Sequence, residues 1–446
     1  MKDRIQLSDH FTYGRLLRFT LPSIGMMIFA SIYSVVDGLF VSNFAGKTPF
    51  AALNLIFPML MILATVGFMF GTGGSAIVAH AFGSGDKEKA NRYFSLFVYV
   101  TFGLGVVFSV LGICFVRPIA MAMGAEGELL EYAVQYAQII LLALPFNALN
   151  YLFQSFLVTA EKPKIGFVVT LSAGLTNMLL DLILVTLLPQ PYKLAGAAVA
   201  TAASQMLGGL IPLVYFLRKN DSILRLGKTR FEGKAIVRAA VNGSSEFMSN
   251  VSMNLVGMLY NIQLMKYAGE DGIAAYGVMM YVNFVFAAAF IGYSIGSAPL
   301  FGFHHGARNG KELRSLLQKS LIMTGVAGGA MVLLGQVLAV PLSRFFVGYD
   351  PALMAITVAG FRVYILAFPF MGYAIFCSGF FTALGDGVTS AAVSFLRTVV
   401  FQTAAVLLLP LILGIDGIWG SVVVAEMMAV AFSVMFILVK RKRYGY

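Results

Sequence analysis

Four carboxylic acids stand inside long apolar stretches of this chain: Asp37, Asp181, Glu246 and Glu426. A charged residue at bilayer depth costs roughly 2.5–3.5 kcal/mol on insertion scales, so each of these acids needs a reason to be there. Asp37 lies nine residues before Gly46 and Asp181 eight before Pro189, the outer ends of their stretches. At about 1.5 Å per helical residue both sit roughly 12–14 Å below the outer surface, in one layer. Tyr33 is one helical turn from Asp37, and Asn177 one turn from Asp181, each on the same face as its acid. The sixth apolar stretch runs back inward and delivers Thr201 and Gln205 to a similar depth. Two neighbouring carboxyl groups, an amide and hydroxyls form a donor set for reversible cation binding. Close acids share a proton readily, and oxygen ligands suit a hard cation such as Na⁺. The expected coupling set is Asp37, Asp181, Asn177, Thr201 and Tyr33, with Na⁺ as a candidate ligand of Asp37, Asn177, Asp181 and Thr201. The plainer reading is a hydrogen-bonded acid that pins two helices.

Glu246 opens a polar stripe, Glu246–Asn250–Asn254–Asn261, in the seventh stretch. This is either a face packed on another helix or a wall of a central cavity. The 23 Met and 39 Phe residues include a flexible, aromatic set suited to amphipathic organic cations. Those expected around a cleft are Met26, Met27, Phe29, Met253, Met258, Met279, Met280 and Phe284. Pro22, fifteen residues before Asp37, removes a backbone hydrogen bond and allows a kink, fixed or responsive to protonation.

Other chemistries are poorly served. Gly46-Lys47-Thr48 and Gly227-Lys228-Thr229 lack the glycine five residues earlier that a phosphate-binding loop needs; Val41 and Ser222 stand there. No nucleotide-binding domain is expected, and no enzyme. Cys114 and Cys377 lie in apolar runs without metal-ligand spacing. His80, His304 and His305 fall at stretch ends, where interfacial roles fit better than catalysis.

These residues need a frame of membrane helices. Of 446 residues 59% are hydrophobic and 11% charged, far below the ~25% charge of soluble domains. Apolar stretches of the ~20 residues that a bilayer requires recur at 16–43, 50–82, 94–123, 129–160, 165–188, 194–217, 235–265, 272–303, 316–346, 352–384, 387–412 and 417–439. The expected fold is all-α integral membrane, with twelve transmembrane helices. Threaded from a cytoplasmic N-terminus, 24 of the 31 Lys and Arg fall in inner segments, so both termini are expected in the cytoplasm of a bacterial or archaeal cell. The net charge of +11 follows from these clusters and implies no nucleic acid. No cleaved signal peptide is expected, since charge without a short apolar core fills the first 18 residues.

The longest polar segment divides the chain into a six-helix lobe 1–217, a cytoplasmic linker 218–234 and a second lobe 235–446. Ala45-Gly46 recurs as Ala268-Gly269, Pro118 as Pro341, Leu144-Pro145-Phe146 as Phe368-Pro369-Phe370, and Gly83 as Gly306, all at an offset of 223 or 224. An ordered set at one offset marks a duplicated unit, a recurrent plan of secondary transporters. The second half does not repeat the acid cluster: Tyr260, Thr398, Gln402 and Val422 stand at the duplicates of Asp37, Asn177, Asp181 and Thr201.

Over its whole length the sequence resembles the MATE (multidrug and toxic compound extrusion) family, and within it the MepA-like branch. The resemblance rests on Pro22, on Ser34-Val35-Val36-Asp37-Gly38-Leu39-Phe40-Val41, and on Gly71-Thr72-Gly73-Gly74-Ser75. Ala79-His80-Ala81-Phe82-Gly83 and Asn177 with Asp181 complete it. It implies two six-helix bundles facing each other in a V, and export of small organic cations or other amphipathic drugs against an inward flow of H⁺ or Na⁺. No cofactor and a monomer are expected. Tyr33, Asp37, Asn177, Asp181 and Thr201 match the positions discussed as a cation site in archaeal and DinF-like members. The acids that NorM-like members carry farther along span 7 and in span 10 are missing here, so a second-lobe Na⁺ site of that kind is not expected, and Glu246 is not its equivalent. Rival readings are a lipid or lipid-linked-oligosaccharide flippase, which would want a cationic cavity where the spans offer only Arg362 and Arg397, and an exporter of an endogenous metabolite.

Overall fold

The computed structural model describes residues 5–446, the side chain of Asn254 excepted; Lys2 and Arg4 and the Asn254 side chain lie outside the described residues. Among them the regular structure is helical, as a lipid environment demands when every backbone N–H and C=O must find its partner within the segment. The first six spans are α1 (Tyr13–Phe40, extended by a wide turn Val41–Ala45), α2 (Lys47–Gly83), α3 (Lys87–Ala122), α4 (Gly127–Thr159), α5 (Pro163–Leu187) and α6 (Lys193–Leu217). A short helix α7 (Gly233–Asn242) leads into α8 (Ser244–Gly306), then α9 (Gly310–Val347), α10 (Pro351–Tyr364) and α11 (Phe368–Ala383). Helices α12 (Gly387–Phe395), α13 (Gln402–Leu408), α14 (Pro410–Leu413) and α15 (Ile415–Tyr444) complete the chain.

Among the described residues, eleven helical stretches are long and apolar enough to cross a membrane. One of them, α8, leaves helical geometry at Gly269 (φ 61°) and holds two spans, which gives twelve. Gly46, between α1 and α2, also has a positive φ (103°); L side chains are strained in that backbone conformation, so glycine stands at both turns. Span 10 is α10 joined to α11 by a tightened turn, Ile365–Ala367, and span 11 carries a widened turn at Leu396–Phe401. Side-chain caps start several helices: Asp86 accepts from Lys89 N–H at 3.0 Å, and Asp350 from Ala352 N–H at 2.9 Å. Leu111, Val337 and Ile412 are among the large apolar side chains left on the outside, where lipid rather than water covers them.

The duplication read from the sequence reappears as reciprocal packing. Gly105 lies on Pro145, 2.7 Å from where its Cβ would stand, and Gly328 lies on Pro369 at 2.5 Å. Gly73 meets Gly243 while Gly296 meets Thr20, the same contact with the halves exchanged. At the end carrying both termini, a Cβ on Gly83 would fall on the Phe303 carbonyl, and one on Gly306 on the His80 carbonyl. So α2 and α8 cross there backbone to backbone, as small residues permit. Residues 7–11 add a strap beneath the crossing. Leu7 N–H donates to Glu161 at 2.9 Å, while Phe11 N–H and the His10 ring reach Glu312 at 2.9 and 2.7 Å.

Candidate ion and substrate site

The layer predicted by counting along α1, α5 and α6 forms one cluster. Asp37, Asn177 and Thr201 line a cavity of about 480 Å³ with Tyr33, Tyr151 and Gln205. Thr201 Oγ1 donates to Asp37 Oδ1 at 3.5 Å, and Asn177 Nδ2 donates to Thr201 Oγ1 at 3.4 Å. Asp181 stands on α5 one helical turn from Asn177, whose amide ties α5 to Thr201 and through it to Asp37. Asp181 is fully buried, and neither of its oxygens has a donor among the described residues; Asn177 Oδ1 is likewise buried without one. Two like charges about 4 Å apart repel by roughly 4 kcal/mol at an effective dielectric of 20. A shared proton removes that repulsion, and so does a monovalent cation held by the carboxyl, amide and hydroxyl oxygens. The donor set fits either.

The structure adds a residue that the sequence reading passed over. Tyr136 of α4 is buried on the same cavity wall as Asp37 and Thr201. It lies nine residues past Gly127, about 14 Å into its helix, so the same depth count would have found it.

A second cavity of about 200 Å³ opens in the C-terminal half, and Met280 belongs to the walls of both. Glu246, Asn250 and Met253 line the second cavity, and Phe284 lines the first. Met26 and Phe29 line neither. They pack onto α5 at its glycines, with Met26 Sδ 3.5 Å from the Cβ position of Gly166 and Phe29 Cε1 2.5 Å from that of Gly174. At the layer equivalent to the acid pair, the second half holds an internal ion pair. Arg397 Nε donates to both oxygens of Glu426, at 2.9 and 2.8 Å, and Gln402 adds a donor at 3.4 Å. Arg362 is exposed and outside both cavities. With Arg397 neutralised in place, neither cavity is the strongly cationic chamber a pyrophosphate would require. His80 and His305 meet at the α2–α8 crossing with tilted rings, 5.3 Å between centroids.

The MatE family profile matches the chain twice, over residues 22–183 and 247–406. The multidrug export protein MepA of Staphylococcus haemolyticus is 25% identical over 442 residues, covering 98% of this chain and 96% of that one. Among solved structures, a MATE protein in complex with MaL6 superposes with a TM-score of 0.91 at 21% identity, covering 99% of this chain and 100% of that one. The outward-facing conformation of a multidrug resistance MATE family transporter of the MOP superfamily superposes equally well, at 0.91 and 21% identity over 99% of each chain. A twice-repeated profile, twelve spans in reciprocal halves and a whole-chain likeness in structure agree: the chain belongs to the MatE family of membrane transporters, and is not an enzyme.

Proposed function

We propose that the protein is a secondary active exporter of amphipathic organic cations and similar drugs, driven by inward H⁺ or Na⁺ through Asp37 and Asp181. The observation that carries this reading is Asp37 on the wall of a cavity large enough for a small organic molecule, linked through Thr201 and Asn177 to the helix that buries Asp181. Lobes 1–217 and 235–446, joined by 218–234, move against each other, and both termini lie in the cytoplasm. The sealed α2–α8 crossing then closes the cytoplasmic side while the cavities face outward.

Coupling follows from differential stability. A ligand shifts a conformational equilibrium only by its preference for one state. With one proton or cation bound, the acid pair is relieved of repulsion and a drier, collapsed N-terminal lobe is favoured, which expels the substrate outward. Release of the ion to the cytoplasm restores the repulsion and reopens the cavity. Tyr33, Asn177, Thr201 and Tyr136 hold the acids in register. Exchange of one H⁺ for one monovalent cation is electroneutral; a second inward charge would add about 2.3 kcal/mol per 100 mV. Efflux of a fluorescent organic cation from proteoliposomes tests the reading. An imposed H⁺ or Na⁺ gradient should accelerate efflux, and indifference to both would end the proposal.

A further inference from the structure

One charged cleft takes no part in this mechanism. It lies at the end carrying both termini, between α7, the Gly385–Asp386 turn that opens α12, and the tail of α15, with a volume of about 630 Å³. Lys234, Arg238 and Arg443 line it, and all three are exposed. None has an acidic partner among the described ion pairs. The acid in the cleft, Asp386, is already held by Lys440 at 3.2 Å, the Tyr444 hydroxyl at 2.8 Å and Thr389 N–H at 3.3 Å. Arg443 sits over the Tyr444 ring, 5.3 Å from its centroid, and Arg238 reaches across Gly385. Interleaved with these cations on the same cleft are three exposed valines, Val237, Val241 and Val388.

Depth and symmetry say what such a mixture meets. The inner end of α7 packs on Gly73 of α2, ten residues short of that helix's end. A 37-residue helix exceeds the ~20 that a bilayer needs by roughly eight at each end, so the cleft lies at headgroup level. At the equivalent turn of the first half, Glu161 has the same left-handed backbone (φ 58°) as Gly385 (φ 77°). There the chain fills its own site: Glu161 accepts Leu7 N–H, and Lys162 pairs with Asp221. In the second half the tail of α15 closes on Asp386 alone, through Lys440 and Tyr444, and leaves Lys234, Arg238 and Arg443 outside the described ion pairs.

We infer that this cleft binds the headgroup of an anionic phospholipid. Lys234, Arg238 and Arg443 receive the phosphate, since planar guanidinium groups match its oxygens and basic pockets between spans suit such headgroups. Val237, Val241 and Val388 meet the first acyl carbons, a surface that a free phosphate would not use. Because α7 also packs on Gly387 of α12, a bound lipid braces the linker helix between the halves. The inference stands apart from the ion-coupling reading.

Native mass spectrometry of the full-length protein in detergent, titrated with phosphatidylglycerol, with phosphatidylcholine of the same acyl chains, or with inorganic phosphate, tests it. Phosphatidylglycerol should bind preferentially. Each surface cation contributes about a fivefold factor, so Lys234→Gln/Arg238→Gln/Arg443→Gln should lose the preference by at least about tenfold. Lys311→Gln/Arg314→Gln, exposed at the same end, should keep it. If the triple variant does not survive purification, Arg443→Gln alone should show a loss of about fivefold. Equal binding of phosphatidylcholine, phosphate binding as tight as the lipid, an unchanged triple or single variant, or an equal loss in the control would overturn the inference.

Discussion

Replacing Arg397 by leucine should expose what the C-terminal half has built in place of an ion site. Glu426 is fully buried, and its carboxylate depends on the Arg397 Nε for both oxygens, with Gln402 as a more distant third donor. Removing one partner of a buried ion pair costs about 3–5 kcal/mol, because a bare charge is left behind. Removing both in favour of apolar groups is often neutral or stabilising. Arg397→Leu should therefore lose about 3–5 kcal/mol, and Arg397→Leu/Glu426→Leu should recover most of it. A coupling of that size stands far above the ~0.3–0.5 kcal/mol scatter of independent sites. The single tryptophan, Trp419, is buried in the same half, so its emission during reversible unfolding in mixed micelles reports the change. An Arg397→Leu variant within about 1 kcal/mol of the parent, or a double variant no better than the single, would refute the reasoning.

Two further outcomes are expected. Gly83→Ala and Gly306→Ala each drive a methyl group into a backbone carbonyl of the opposing helix, so either should loosen the closed end. A cysteine placed at cavity residue Ser75 should then become accessible to reagent from the terminus-bearing side, where the parent is protected. Lys228→Cys, exposed in the linker, should react with an impermeant maleimide in inverted vesicles and not in intact cells; labelling from outside would reverse the topology.

What the sequence disclosed, and what it hid, follow from one distinction. Depth along a helix is a count of residues, so Asp37, Asn177, Asp181 and Thr201 were legible as one layer, and Tyr136 was open to the same count. The 223-residue offset was legible too, because duplicated turns keep their glycines. Rotation about the helix axis is harder to read. Met26 and Phe29 were expected at the cleft, yet Gly166 and Gly174 leave hollows on α5 that draw them into helix packing. Arg397 and Glu426 were each visible as isolated charges. Their pairing also depends on how spans 11 and 12 turn toward each other, with a widened turn at Leu396–Phe401 on one side, and no periodicity announces that. The lipid-site cations come from α7 and the tail of α15, elements far apart in sequence that only the fold unites.

The central claim is that Asp37 and Asp181 couple ion flow to transport, and their amides test it most directly. Asparagine keeps the size and hydrogen-bonding capacity of aspartate but cannot take up or release a proton. Asp37→Asn and Asp181→Asn, reconstituted in proteoliposomes under the gradient that drives the parent, should each reduce efflux to the level of protein-free vesicles. Their unfolding free energies should stay within about 1 kcal/mol of the parent, as expected where no buried charge is stranded. Full gradient-driven efflux by both well-folded variants would contradict the account and leave the acid pair as helix-to-helix glue.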